Sequence, residues 1–234
     1  MEKNLFKTGV SGLDMMLEGG IRWGSTVTIA SDLQDRVTLC HNIVENALKR
    51  EVIVYYMCFK EAPERIRYLM DETGIDVERY EQKRLLRLYA PLETEQTGMM
   101  NSSGELHRAE ELLKVFNDFI GGIMKQVALH VMAGKKVLFV LNNVSALNDL
   151  LYEDPRWKDF TVRGSSWLRK LIKVVSFQIA DIKDLEVAET IADFCMVMKN
   201  IDGIPYIKIT KVSTAGWVPY ISTYNKIEIA EDFI

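Results

Sequence analysis

The feature that most constrains the fold is a pair of almost continuously apolar runs, residues 52–59 and 137–141. Strands that helices cover on both faces have this character, whereas strands with one solvent-facing side alternate apolar and polar residues. Two lysines precede the second run and two asparagines follow it, so polar residues bound it at both ends. The two runs therefore predict buried strands of a parallel β-sheet.

Strand and helix patterns alternate through the first three quarters of the chain. Such alternation favours a mainly parallel α/β sheet that is built by right-handed crossovers. The 105–133 helix is expected to be interrupted or bent at its Gly121–Gly122 pair. Strands are predicted at 26–30, 85–89 and 174–180, and helices at 37–49, 63–73, 105–133, 146–152 and 165–172.

The last part of the chain is rich in strand patterns instead. Residues 194–198, 206–211 and 227–230 are β-prone, and Gly203 marks a turn between the first two runs. Consecutive strands with short connections predict antiparallel hairpins at one edge of the sheet. We expect the whole chain, residues 1–234, to form a single domain.

Composition excludes several classes of protein. The 234 residues are 48% hydrophobic, which suffices for one large core, and a net charge of -4 disfavours a large nucleic-acid footprint. No window has the uninterrupted apolar length that crosses a bilayer, so we expect a cytoplasmic protein with no membrane partner. Cys40, Cys58 and Cys195 stand in apolar surroundings and are expected to be reduced core residues.

The sequence resembles the RecA/KaiC-type P-loop ATPases of archaea and bacteria, which include KaiC-like and RadA-like proteins. The stretch TGVSGLD at 8–14, followed by LEGGI at 17–21, is similar to the family segment that leads into the first core strand. Residues 55–64 and 191–193 resemble later family segments. The resemblance implies a RecA-like P-loop NTPase fold: a mainly parallel central sheet flanked by helices, with antiparallel C-terminal strands.

The phosphate-binding loop departs from the family pattern. Working relatives carry GxxxxGK[ST], in which backbone N–H groups wrap the phosphates, the lysine neutralises charge and the hydroxyl holds magnesium. A gapless alignment after the first strand retains only the final hydroxyl, Thr38, and places Val37 at the lysine position. The other aligned residues are Ser31, Asp32, Leu33, Gln34, Asp35 and Arg36.

Charge also opposes phosphate binding by these residues. Asp32 and Asp35 bring negative charge toward the phosphate position, and like unit charges about 4 Å apart repel by about 1 kcal/mol in water and about 4 kcal/mol at an effective dielectric near 20. Arg36 offsets part of this repulsion but lacks a fixed cradle. We expect no cofactor and no metal at this loop, with weak ATP binding as the alternative.

Two more catalytic positions of the resemblance are altered. The 137–141 strand should end in an aspartate that orients magnesium, but Asn142 stands there and carries no charge. The family's Glu-Glu pair becomes Lys60-Glu61. Glu61 either persists as a water-activating base or is an acidic residue in the first turn of the next helix.

The segment that reaches a neighbouring subunit in the family's rings is altered too. It resembles Lys-Met-Arg-Gly, and here Lys211 is retained while Ser213 takes the arginine position. Loss of this cation removes a charge-assisted bridge between subunits. We expect a monomer or a dimer rather than a hexamer.

These substitutions predict a pseudo-ATPase: a regulatory or scaffolding module of signal-transduction type whose partner is a protein, for example an active RecA/KaiC-like relative. One alternative is a nucleotide-binding KaiC-like ATPase with an altered P-loop. Another is a recombinase-accessory protein that binds single-stranded DNA through residues 154–163, where three cations interleave with Trp157 and Phe160. Two aspartates in that loop disfavour nucleic acid, and an exposed loop between helices accounts for the same pattern.

Overall fold

The computed structural model describes residues 4–59, 61–90, 105–151, 166–210, 216–223 and 225–234. Its strands are β1 (Leu5–Phe6), β2 (Ile21–Arg22), β3 (Thr26–Ala30), β4 (Ile53–Cys58), β5 (Leu86–Tyr89), β6 (Val137–Asn142), β7 (Val174–Ala180), β8 (Phe194–Ile201), β9 (Ile204–Thr210), β10 (Val218–Ser222) and β11 (Ile227–Ile229).

Its helices surround these strands. They are α1 (Ser11–Met16), α2 (Asp35–Lys49), α3 (Pro63–Glu72), α4 (Val77–Gln82), α5 (Glu105–Met132), α6 (Val144–Leu151) and α7 (Leu185–Ile191). Residues 166–169 are also helical, and Ile182–Asp184 and Glu231–Phe233 form 3-10 turns.

Within the described ranges, nine strands form one sheet in the order β11-β10-β9-β8-β3-β7-β6-β4-β5, and β1 pairs with β2 separately. Strands β8 to β5 of this order run parallel to one another. Strands β9, β10 and β11 continue the sheet in antiparallel fashion. The predicted α/β class, with its mainly parallel sheet and antiparallel C-terminal strands, is confirmed.

Helices cover both faces of the parallel strands, and this explains the apolar runs. Every residue of β3, β4 and β7 is buried. On one face the sheet packs against α1 and α2, where Val27 contacts a cluster that includes Leu39. On the other face Phe139 belongs to a cluster with Val127 of α5. Cys40, Cys58 and Cys195 are buried, as predicted.

Several element boundaries differ from the prediction. Helix α5 is not interrupted at the glycine pair, where an interruption or a bend was expected. Helix α4 was not predicted, although Asp76 signals it by accepting a hydrogen bond from the Arg79 N–H at 3.1 Å. Strand β10 was not predicted as a separate strand. Helix α2 begins at Asp35 rather than Val37, which brings two residues of the aligned loop into its first turn.

The TGVSGLD segment near the N-terminus is fixed by hydrogen bonds to Asp14 and by a glycine, Gly9. The Asp14 carboxylate accepts hydrogen bonds from the Thr8 N–H and hydroxyl, at 2.8 and 2.9 Å. Gly9 has a φ of 82°, and a Cβ there would lie 2.5 Å from Asn46 of α2. Only glycine accepts both the backbone angle and the close approach. The segment is thereby fixed against α2.

Candidate functional site

The residues aligned with the phosphate-binding loop lie at the carboxyl ends of β3 and β7. Ala30 pairs with Ala180 at the last register position of these two strands. Ser31 is fully buried, its N–H donates to the Ala180 carbonyl at 3.1 Å, and its Oγ accepts the Leu33 N–H at 2.9 Å. The carboxyl ends of parallel strands are where open α/β sheets bind ligands, so the position is that of a binding site.

The backbone of this turn differs from that of a phosphate nest. Residues 31–38 are all described, and none of them has a positive φ. A nest that cradles phosphate alternates right- and left-handed residues so that successive N–H groups converge. Gln34, the N-cap of α2, is in the right-handed region with φ of -61° and ψ of -27°, and it makes no side-chain capping bond. The turn is a tight connection rather than an N–H cradle.

Arg36 reaches back across the turn to the strand ends. Its Nη1 lies 2.5 Å from the Asp181 carboxylate and donates to the Ala180 carbonyl at 3.0 Å. The same nitrogen contacts the Ser31 carbonyl. The Arg36 side chain is 15% exposed and that of Asp181 is 29% exposed, so this is a largely buried, charge-assisted network.

The two aspartates of the turn have partners of their own. Asp35 was expected to face the phosphate position, but its carboxylate accepts hydrogen bonds from Tyr220 Oη at 2.9 Å and Ser222 Oγ at 2.8 Å on β10. Burial and the neighbouring Asp35 carboxylate raise the pKa of Tyr220, so this phenol remains a donor. Asp32 is exposed, and its Oδ1 accepts the Ile182 N–H at 3.1 Å.

Asn142 ends β6, two strands away from β3. β7 lies between these strands, so their carboxyl ends are about 10 Å apart at the usual strand spacing. Asn142 is 4% exposed, and its Nδ2 lies 3.7 Å from Cys58 Sγ on β4. Asn143 follows in the left-handed region with φ of 64°, and its Oδ1 accepts the Ala146 N–H at 3.3 Å. Both side chains of the amide pair therefore take part in structural hydrogen bonds.

Comparison with known protein families gives a match over the larger part of the chain. Residues 6–132, more than half of the chain, match the family model described as "ATPase: KaiC". The chain belongs to the KaiC ATPase family.

A solved structure supports the same fold for the KaiC-family chain. A KaiC-like protein from the hyperthermophilic archaeon Pyrococcus horikoshii OT3 aligns with a TM-score of 0.72 at 18% sequence identity. The alignment covers 97% of this chain and 99% of that protein. A comparison with curated proteins gave no match.

The other aligned residues of this KaiC-family chain are spread along three elements. Val37 and Thr38 lie in the first turns of α2 and are half-buried. Glu61 precedes Ala62, the N-cap of α3, so it lies outside the first helical turn in which one of its two interpretations placed it. The acidic residue of that turn is Glu64. Lys60, the partner of Glu61 in the aligned pair, and Lys211, Ser213 and the 154–163 loop lie outside the described residues.

Sequence reasoning missed the partners that fix the turn. Asp181 follows β7 directly, and its N–H donates to Ser145 Oγ at 2.8 Å while its carboxylate holds Arg36. A charged residue at the carboxyl end of a predicted parallel strand is a usable signal for this position. Tyr220 carried no such signal, because the apolar residues around it indicated core or interface.

In the described part of the chain, no helix is both long and apolar enough to cross a membrane.

Proposed function

We propose that this KaiC-family protein does not hydrolyse ATP and acts as a regulatory or scaffolding module of signal-transduction type that binds another protein. The observation that carries the proposal is the Arg36 network. A side chain of the chain itself, Arg36, bonds to Asp181 and to two carbonyls at the strand ends where a nucleotide-binding relative would receive phosphate.

The residues at this position do not suit a triphosphate. Phosphate oxygens accept hydrogen bonds, so they need converging donors, whereas the Ser31 and Ala180 carbonyls are acceptors and already share one arginine. The guanidinium is the only cation of the turn, and Asp181 neutralises it. A bound phosphate would have to displace the carboxylate and gain no N–H cradle in return.

Magnesium chemistry lacks support for a similar reason. Magnesium takes oxygen ligands in a regular octahedron and relies on carboxylates to hold it near phosphate. The end of β6 offers a neutral amide, Asn142, which is buried against Cys58. Asn142 therefore supplies no charge to hold magnesium for phosphoryl transfer.

What the chain retains is a stable scaffold. The parallel sheet, the N-terminal segment held by Asp14 and the antiparallel edge are all present in this chain. A family fold of this kind, kept while its chemistry is replaced, supports a role in protein contacts rather than turnover. The fold alone does not name the partner.

Titration with a fluorescent ATP analogue, with and without magnesium, tests the proposal. We expect no saturable, magnesium-dependent binding by the wild-type protein. If a nucleotide did bind at this turn, Arg36 would have to leave Asp181. Arg36→Ala would then change the affinity of the protein for the ATP analogue. The control variant Arg50→Ala, on an exposed turn, would leave that affinity unchanged. Saturable binding with that pattern would favour the alternative, a KaiC-like ATPase with an altered P-loop.

Co-purification from the native host tests the second half of the proposal. A stoichiometric protein partner that is retained at moderate salt is expected. Recovery of the chain alone, together with measurable ATP turnover, would contradict the proposed role.

A further inference from the structure

The turns that enter the parallel strands carry a concentration of positive charge. The four turns before β4, β5, β6 and β7 hold seven cations and a single carboxylate, Glu51, and Arg22 ends β2 directly before the turn into β3, although the whole chain has a net charge of -4. These strands are consecutive neighbours in the sheet. The cations are Arg22, Arg50, Lys83, Arg84, Lys135, Lys136, Lys170 and Lys173. We call this surface the basic edge.

The basic edge is continuous and solvent-facing. Four strand spacings separate β3 from β5, so the cations form a row about 19 Å long. The turns touch one another, because Lys173 Nζ donates to the Gly134 carbonyl at 3.3 Å and the Val137 N–H donates to the Lys173 carbonyl. Arg22, Lys135 and Lys170 are all exposed, and among the described residues they have no carboxylate within ion-pair distance.

Exposed aliphatic side chains accompany these cations. Met132, the last residue of α5, is 82% exposed, and Leu129 in the preceding turn is 65% exposed. Ile172, between two cations of the turn that enters β7, is 74% exposed. Large apolar side chains that project together from a protein surface mark a contact with another apolar phase or partner.

An aromatic pocket lies on the same edge. Trp23 follows Arg22, and Lys136 Nζ lies 5.0 Å from the Trp23 ring centroid. Trp23 lines a pocket of about 390 Å³ together with Asn4, Leu5, Arg22 and Ile172. Its indole Nε1 is buried and has no hydrogen-bond partner among the described residues. A donor, a cation and apolar walls are thus combined in one recess.

We propose that the basic edge is a docking surface for the anionic face of a lipid bilayer. Cations contact acidic headgroups, the projecting aliphatic side chains enter the headgroup–acyl boundary, and tryptophan is suited to that interface. A nucleic acid would satisfy the cations but would leave Leu129, Met132 and Ile172 without an apolar environment. The contact is peripheral and needs no membrane-spanning helix, but it departs from the sequence-based expectation of no membrane partner.

Two carboxylates lie at or beside the basic edge: Glu51, and Asp193 at the entry to β8, which is paired with Arg169 at 3.4 Å. Asp32 and Asp181 lie at the opposite ends of the strands. Strands of five to seven residues, such as β3 and β7, separate the two edges by about 20 Å. That distance exceeds the Debye length of about 8 Å at physiological ionic strength, so the bilayer interacts mainly with the nearer, basic edge.

Vesicle co-flotation tests the proposal with the full chain. We expect binding to vesicles in which phosphatidylserine replaces part of the phosphatidylcholine, and none to phosphatidylcholine alone. The double variant Lys135→Gln, Lys170→Gln should weaken binding about 25-fold, at about fivefold for each cation. The double variant Met132→Ser, Ile172→Ser should weaken it by at least about tenfold through lost apolar burial.

The matched control is Lys199→Gln, Lys226→Gln, which removes the same charge from the antiparallel edge and should bind like the wild type. Should either test variant unfold, a salt titration of the wild type supplies the electrostatic readout instead. Absence of binding to phosphatidylserine vesicles overturns the proposal. A second pattern also overturns it: vesicle binding is unchanged in the Met132→Ser, Ile172→Ser variant and is abolished when duplex DNA competes. This pattern identifies a nucleic-acid surface.

Discussion

Arg36 and Asp181 form an ion pair of 2.5 Å between the first turn of α2 and the end of β7. The pair closes the end of the sheet at which parallel α/β proteins bind their ligands. Because the same guanidinium nitrogen also contacts the Ser31 and Ala180 carbonyls, it ties two neighbouring strand ends together. Arg36 thus links two strand ends at the position where such ligands bind.

Replacing Arg36 should destabilise the protein. Arg36→Ala leaves the Asp181 carboxylate and two carbonyls without their donor, and we expect a loss of about 2 kcal/mol in the free energy of unfolding, since the partial exposure of Asp181 moderates the cost. Urea denaturation measures it. Arg50→Ala, on an exposed turn, is the control and should change stability by less than about 0.5 kcal/mol.

Coupling between the two residues follows from the same contact. Asp181→Asn and Arg36→Ala should be less than additive when combined, since each variant already breaks the pair. Strict additivity in the double-mutant cycle would mean that the ion pair contributes nothing to stability.

ATP hydrolysis is expected to be absent. The aligned lysine and magnesium-orienting positions are Val37 and Asn142, and the turn has no glycine. Steady-state phosphate release should equal that of a mock-purified control. The opposite result, turnover above the control that Glu61→Gln abolishes, would establish a working enzyme with Glu61 as its base.

Restoring the lysine alone should not restore activity. Val37→Lys supplies a cation, but residues 31–36 retain their tight backbone and Asn142 stays neutral, so the cradle and the metal site are still missing. The same phosphate-release assay decides the matter. Turnover by this single variant would show that the lysine was the one missing element.

Stability should fall in mildly acidic solution because of His41. This residue is 1% exposed, lies 3.4 Å from both Tyr56 Oη and Thr73 Oγ1, and burial lowers its pKa from 6.5 to about 4. The unfolded chain therefore gains a proton before the folded one does. The neutral-His contribution is fully present above pH 6.5 and is lost progressively as pH falls toward about 4.

From this difference in pKa we expect the free energy of unfolding to fall by about 2 kcal/mol between neutral pH and a pH near 5. Urea denaturation across this range measures it. His41→Gln, which keeps hydrogen-bonding groups but does not titrate, should remove most of this dependence relative to the wild type. An unchanged pH profile in the variant would assign the effect to other groups.

A monomer or a dimer is expected in solution. Val218 and Tyr220 of β10 are 1% and 3% exposed and belong to the core, so they offer no surface to a second subunit. Of the neighbouring apolar residues, Ile221 is 64% exposed, and Trp217 is half-buried with Lys199 Nζ 4.1 Å from its ring centroid. Light scattering over a dilution series checks the mass, and a hexamer that persists on dilution without nucleotide would refute this expectation.

The sequence by itself determined the class of fold. Apolar runs such as 52–59 are local patterns, and a strand buried on both faces has almost no other composition available to it. The glycine-rich N-terminal segment was equally recognisable from the sequence. The structure gives the reason for Gly9: the position has a positive φ and a close approach to Asn46, and residues with a Cβ are excluded there. The departures from the family pattern at Val37 and Asn142 were also visible, because the residue type at an aligned position is read directly from the sequence.

Only the tertiary structure decided where the charged side chains point. Ala180, which accepts a hydrogen bond from Arg36, is 144 residues away along the chain, and Tyr220 is 185 residues from Asp35. No local pattern encodes such partners, so Asp35 was expected to face phosphate when it faces β10. The basic edge has the same origin: its cations lie in four separate turns and at the end of β2, and the sheet order brings these positions into one row.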